Sequence, residues 1–176
     1  MSSFPDLTPG TWTVDPSHSE VGFVARHLMV TKVRGRFGQV AGTVTIAETF
    51  EDSSVTATAD IASVSTGNAD RDAHLRSADF FDADNHPQMS FTSTAVGPDS
   101  LQGDLTIRGV TRPVRFDLSF EGVAADPWGN TKAAFEATTT VNRKDWGLEW
   151  NAALEGGGVL VSDKVQIVLE VQLLKA

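Results

Sequence analysis

Between Val114 and Glu121 every second residue is apolar and every alternate one polar: Val114, Phe116, Leu118 and Phe120 against Arg115, Asp117, Ser119 and Glu121. Successive side chains of an extended strand point to opposite faces, so this stretch has one dry face and one wet face. The pattern recurs along the chain. Val165, Ile167, Leu169, Val171 and Leu173 form one apolar row; Val21, Phe23 and Ala25 a second; Val55, Ala57, Ala59 and Ile61 a third. Met89 with Phe91, and Leu101, Gly103, Leu105 and Ile107, read the same way. About eight half-buried strands leave two architectures, a sandwich or a closed barrel. Small inward residues at Ala25, Ala57, Ala59 and Gly103 fill less space than a dense core requires, which fits a barrel with room inside.

Between Lys32 and Phe37 the apolar positions are odd-numbered (Val33, Phe37); between Val40 and Ile46 they are even (Val40, Val44, Ile46). A regular strand keeps its parity, so a bulge or bend is predicted near Gly38 to Gly42. Turn signals separate the strands at Asp15-Pro16, Gly97-Pro98-Asp99, Arg108 to Thr111 and Asp126 to Asn130. One segment reads as helix, from a cap at Asn68 through Asp70 and Asp72 to about Ser77, with a short turn to Asp82 and a stop at His86-Pro87.

The chain has 176 residues, which suits one domain: residues 1–9 read as an N-terminal tail and 10–176 as the barrel. It contains no cysteine, which removes disulfides, thiolate metal sites and cysteine nucleophiles. A net charge of -9 argues against nucleic acid as partner, because a phosphate backbone needs a basic face. No segment approaches the roughly 18 apolar residues of a transmembrane segment. Residues 1–10 carry neither a basic nor an apolar leader stretch, so the expected location is cytoplasmic.

Several residues invite chemistry and each has a plainer reading. His18, His27, His74 and His86 show no metal-ligand spacing, so no metal is expected. In an unbroken strand His18 and His27 would face opposite sides. Arg71 and His74 share a helix face, where they tie the helix to the barrel rim or meet a ligand headgroup. Lys32, Arg34 and Arg36 could grip a diphosphate, but parity puts them outside, on a solvated face. There is no Gly-x-Ser-x-Gly elbow, and the pairs Asp70 with Asp72 and Asp79 with Asp82 read as helix-start charges.

A set of short motifs carries a family resemblance. They are Trp12, Asp15-Pro16 and His18-Ser19 running into Val21, Phe23 and His27; Val33 to Phe37; Asp70-Arg71, His74-Leu75 and Asp79 to Asp82; and Pro87 to Phe91. Gly103 to Val114 and Asn142 to Leu148 complete the order. Together they resemble the polyisoprenoid-binding protein family typified by YceI. The resemblance implies an all-β, lipocalin-like antiparallel barrel that holds an isoprenoid chain in a tunnel, with no cofactor and no catalytic apparatus. Carriage or storage of an isoprenoid quinone, a polyprenyl precursor or a similar long-chain lipid is the implied role. An enzyme or an interaction scaffold on the same barrel is the alternative, and a homodimer is compatible with either.

On that implication the tunnel wall comprises Val21, Phe23, Ala25, Val55, Ala57, Ala59, Ile61, Met89, Phe91, Leu105, Phe116, Leu118, Phe120, Phe135, Val141, Ile167 and Leu169. His18, His27, Arg71 and His74 are the candidates for headgroup or rim contacts.

Overall fold

The structure, a computed structural model, describes residues 4–28, 30–152 and 160–176. Eleven strand segments form one antiparallel sheet: β1 (Gly10–Val14), β2 (Glu20–His27), β3 (Thr31–Phe37), β4 (Val40–Ile46), β5 (Ser54–Asp60) and β6 (Val64–Ser65). After the helix α1 (Ala69–Arg76) come β7 (Gln88–Val96), β8 (Ser100–Ile107), β9 (Val110–Ala125), β10 (Thr131–Asn142) and β11 (Lys164–Lys175). Segments β1/β2, β3/β4 and β5/β6 are each one stave interrupted part-way, so the sheet closes as an eight-strand barrel.

Closure runs through β11. Along one edge it pairs with β10 from Lys164 opposite Asn142 to Leu174 opposite Lys132. Its other edge pairs with β2 from Gln166 to Glu170 and with β1 from Leu173 to Lys175. The break between β1 and β2 leaves Gln172 without a strand partner on that edge, and two groups substitute. The Asp15 amide donates to the Gln172 carbonyl at 2.8 Å, and the Gln172 amide donates to the Ser19 hydroxyl at 3.0 Å.

The parity switch expected near Gly38 to Gly42 is present: β3 ends at Phe37, β4 begins at Val40, and the Gly38 amide turns to the Ser63 carbonyl at 3.1 Å. The alternation in β9 also holds. Val114 and Phe116 are buried, Leu118 and Phe120 half-buried, and Arg115, Asp117, Ser119 and Glu121 exposed. Arg108 and Gly109 both take positive φ (52° and 74°), the two-residue hairpin turn that matches strand twist.

The Asn68 side chain caps α1 by accepting from the Arg71 amide at 3.0 Å, and the helix ends before Ser77. No α1 residue is fully buried. The turns that follow bring Phe80 to 5% exposure, and Arg108 Nη1 donates to the carbonyls of Phe80 and Gly147, tying these turns to that end of the barrel. The opposite end is closed by Leu7, Trp12, Ile46 and Phe50. The segment ahead of β1 packs here as well: Leu7 is 1% exposed and the Phe4 ring lies 4.8 Å from Phe50 and 4.6 Å from Phe120.

Candidate functional site

Inward side chains of the staves do not meet at the barrel centre. Phe23, Ala25, Val55, Ala57, Phe91, Leu118, Phe135, Ile167 and Leu169 point inward yet are only half-buried. They border a cavity of about 290 Å³. Every inward residue of β11 from Val165 to Leu173 lines it, a run of about 27 Å at the rise of an extended strand. That volume over that length describes a narrow channel.

The wall is apolar. Ser53, Thr58, Ser90 and Arg143 are its polar side chains besides the Trp146 indole, whose Nε1 is spent on the Leu105 carbonyl at 2.9 Å. No carboxylate and no histidine among the described residues lines it. Among the described residues, no three His, Asp or Glu side chains gather where a metal ion could sit.

Arg143 stands where the inward row of β10 passes Val141 and reaches the α1 end. It is 6% exposed. Nε donates to the Ser162 carbonyl at 2.9 Å, and Nη1 to the carbonyls of Leu148 at 2.7 Å and Trp150 at 2.9 Å. Burial pushes its pKa down, while Asp163, 3.9 Å from Nη2, pushes it back up. These bonds hold the segment after β10 against the start of β11, so Arg143 organises this end of the channel.

Of the residues expected in the wall, Val21, Phe23, Ala25, Val55, Ala57, Ala59, Met89, Phe91, Leu105, Phe116, Leu118, Phe135, Val141, Ile167 and Leu169 line the channel. Ile61 and Phe120 do not. Ile61 begins the 3₁₀ turn Ile61–Ser63 that interrupts the β5/β6 stave, which buries it beside Phe37, Ala59 and Val64. Phe120 lies beyond the channel's closed end, its ring between Phe4 and Phe135. Gly103 leaves no room either: the Phe91 ring lies over it, and a Cβ there would stand 2.4 Å from Phe91 Cζ.

The four candidates for headgroup contact line no part of the channel. His18 lies in the break between β1 and β2, which voids the parity comparison with His27. Its Nδ1 meets Asp15 Oδ2 at 2.8 Å. Lys132 Nζ meets the same oxygen at 3.0 Å, and Ser17 donates its amide and hydroxyl to Oδ1. Burial alone would raise the Asp15 pKa, but Lys132, His18 and Ser17 together hold it well below the usual carboxylate range.

His27 is exposed at the hairpin end, one inward position beyond Ala25, and bridges to Val161. Arg71 folds back onto Thr66, with Nε to Oγ1 and Nη2 to the carbonyl, both at 2.7 Å. His74 Nε2 meets Asp79 Oδ2 at 2.9 Å, and its ring packs edge-on against Phe80 and Trp150. Asp79 and Asp82 are therefore not helix-start charges; Asp82 instead accepts from the Asn85 amide group.

Sequence reasoning missed wall residues that belong to no alternating strand: Phe50, Leu75, Phe80, Phe81, Trp146 and Leu148. It also gave Arg143 no place in the wall. The signal there was a cation at the next inward position after Val141.

A family model described as the YceI-like domain matches residues 12–173. The chain belongs to the YceI-like family. The UPF0312 protein SAS2572 of Staphylococcus aureus is 38% identical over 160 residues, covering 88% of this YceI-like chain and 92% of its own length. BcnA of Burkholderia cenocepacia superposes with a TM-score of 0.78 at 23% identity, over 90% of this chain and 98% of its own. A polyisoprenoid binding domain from Saccharophagus degradans superposes with a TM-score of 0.73 at 15% identity, over 96% and 100%. At these identities the two structures share the barrel with this chain, and fold alone does not carry function.

Proposed function

We propose that this YceI-like protein binds a long isoprenoid or comparable lipid chain in its channel and carries or stores it unchanged. The observation that carries the reading is an apolar channel on whose wall the described residues place no acid, no histidine and no metal cluster. Protein interiors are ordinarily close-packed, and apolar voids stay dry. At about 24 cal/mol per Å³, an empty channel of 290 Å³ costs up to about 7 kcal/mol, comparable to the whole stability of a typical domain. A hydrocarbon chain removes that cost and gains about 0.8 kcal/mol for each methylene taken from water. Narrowness selects a chain over a compact ligand. The name given to the Saccharophagus neighbour, a polyisoprenoid binding domain, points to the same ligand class.

The test is a titration with an isoprenoid quinone, read by quenching of Trp146, whose indole lines the channel. Ala57→Trp adds bulk at a half-buried wall position and is expected to abolish quenching at quinone concentrations that saturate the parent, with little change in melting temperature. A parent that never binds, together with an Ala57→Trp variant destabilised by about 1–3 kcal/mol, would show a filled core and end the proposal.

A further inference from the structure

The hairpin between β2 and β3 carries exposed apolar side chains. Leu28 is 43% exposed and Val30 73%. Behind this tip, the outer face of β3 bears Lys32, Arg34 and Arg36 at alternate positions, about 7 Å apart, and Arg26 on β2 is the direct partner of Lys32. All four are exposed, and none forms an ion pair with a described residue. Along the described outer rows of β2 and β11 the first carboxylates from the tip are Glu20 and Glu170, opposite each other. A chain of net charge -9 thus places four cations without a described ion-pair partner beside an exposed apolar tip.

The barrel wall is also incomplete at this point. β3 pairs on its far side with β6 only at Arg36 and Phe37, β6 has no further partner, and β7 pairs with β5 and β8. Side chains bridge the split in place of backbone: the Phe37 and Phe81 rings meet edge to face at 5.8 Å, with Leu75 beside them. All three line the channel. These side chains therefore line the channel where strand pairing between described residues stops.

We propose that the β2–β3 hairpin docks on an anionic lipid bilayer. Leu28 and Val30 enter the headgroup region, and Arg26, Lys32, Arg34 and Arg36 engage lipid phosphates. The split beside β3 then lies at the bilayer surface, and the apolar ligand passes between membrane and channel without crossing water. This rests on the lipid-binding reading. Charge complementarity selects the occupant: a row of exposed cations behind an apolar tip matches an anionic headgroup plane over a hydrocarbon layer.

The full chain is sedimented with vesicles of phosphatidylglycerol and phosphatidylcholine, and with vesicles of phosphatidylcholine alone. Binding to the anionic vesicles is expected, weakened by high salt, by Val30→Ser, and about fivefold by each of Arg34→Ala and Arg36→Ala. Transfer of an isoprenoid quinone from loaded protein should accelerate in proportion to the concentration of anionic vesicles. The same variants should slow it while keeping the parent's quinone affinity in solution. Equal or absent binding to the two vesicle types, as for a surface that meets an acidic protein instead, overturns the docking proposal. So does transfer by the arginine variants at the parent's rate. Vesicle binding without quinone uptake in solution would sustain the docking surface and remove the channel reading.

Discussion

Asp15 and Arg143 are the charged side chains that the described structure buries, and each joins segments the backbone ladder leaves apart. Asp15 ties the β1–β2 break to Lys132 on β10; Arg143 ties the carbonyls of Leu148, Trp150 and Ser162 together. The depressed pKa of Asp15 fixes the sign of its pH dependence. Its stabilisation is fully present above the unfolded carboxylate value of about 3.9 and is lost as pH falls toward the folded value. Asp15→Asn is therefore expected to lose about 1–2 kcal/mol at pH 7 and to converge on the parent in strong acid. Urea unfolding at the two pH values checks this, and an equal gap at both would contradict it. At this scale the sequence was least informative. His18, Arg71 and His74 bond within a few residues of themselves, and nothing in their spacing distinguishes a local tie from a ligand contact. Arg143 was invisible as a hub because its partners come from segments with no periodicity.

Where strands alternate, the elements were legible. The β9 and β11 rows and the parity switch at Gly38 follow from the strand repeat of two, and the α1 cap follows from Asn68. The break between β1 and β2 carried the same signal, since Trp12 and Val14 are even-numbered while Val21 and Phe23 are odd. Without a glycine to mark it, Asp15-Pro16 registered as a turn rather than as an interruption of one long stave. Glycines within strands were harder to interpret, because an absent side chain can mean space or a neighbour's ring. Gly35 is of the second kind: a Cβ there would stand 2.3 Å from Phe23 Cζ, the ring of its cross-strand partner. Gly35→Ala is expected to cost about 1–3 kcal/mol. Combined with Phe23→Ala it should cost less than the sum of the two single changes, because the ring that clashes is gone. Strict additivity in denaturant unfolding would show that the ring does not depend on Gly35.

At the scale of the whole molecule, alternation alone left a sandwich and a barrel equally open. Closure depends on β11 pairing with β10 on one side and with β1 and β2 on the other, a long-range fact that no local pattern encodes. Whether the barrel is hollow depends on how rings and small residues pack across the centre, and on α1 and its following turns covering one end. The strand staves of the channel were therefore readable, and its end covers and its emptiness were not. On the lipid-binding proposal, a hydrocarbon chain fills the apolar channel that the described side chains leave open along about 27 Å of β11. Organic extraction of the purified protein followed by mass spectrometry tests this most directly. A long-chain isoprenoid or comparable lipid is expected at close to one molecule per chain, and Ala57→Trp protein prepared in parallel should yield almost none. Parent protein that yields no lipid, or that yields the same lipid in the same amount as Ala57→Trp, would contradict the account.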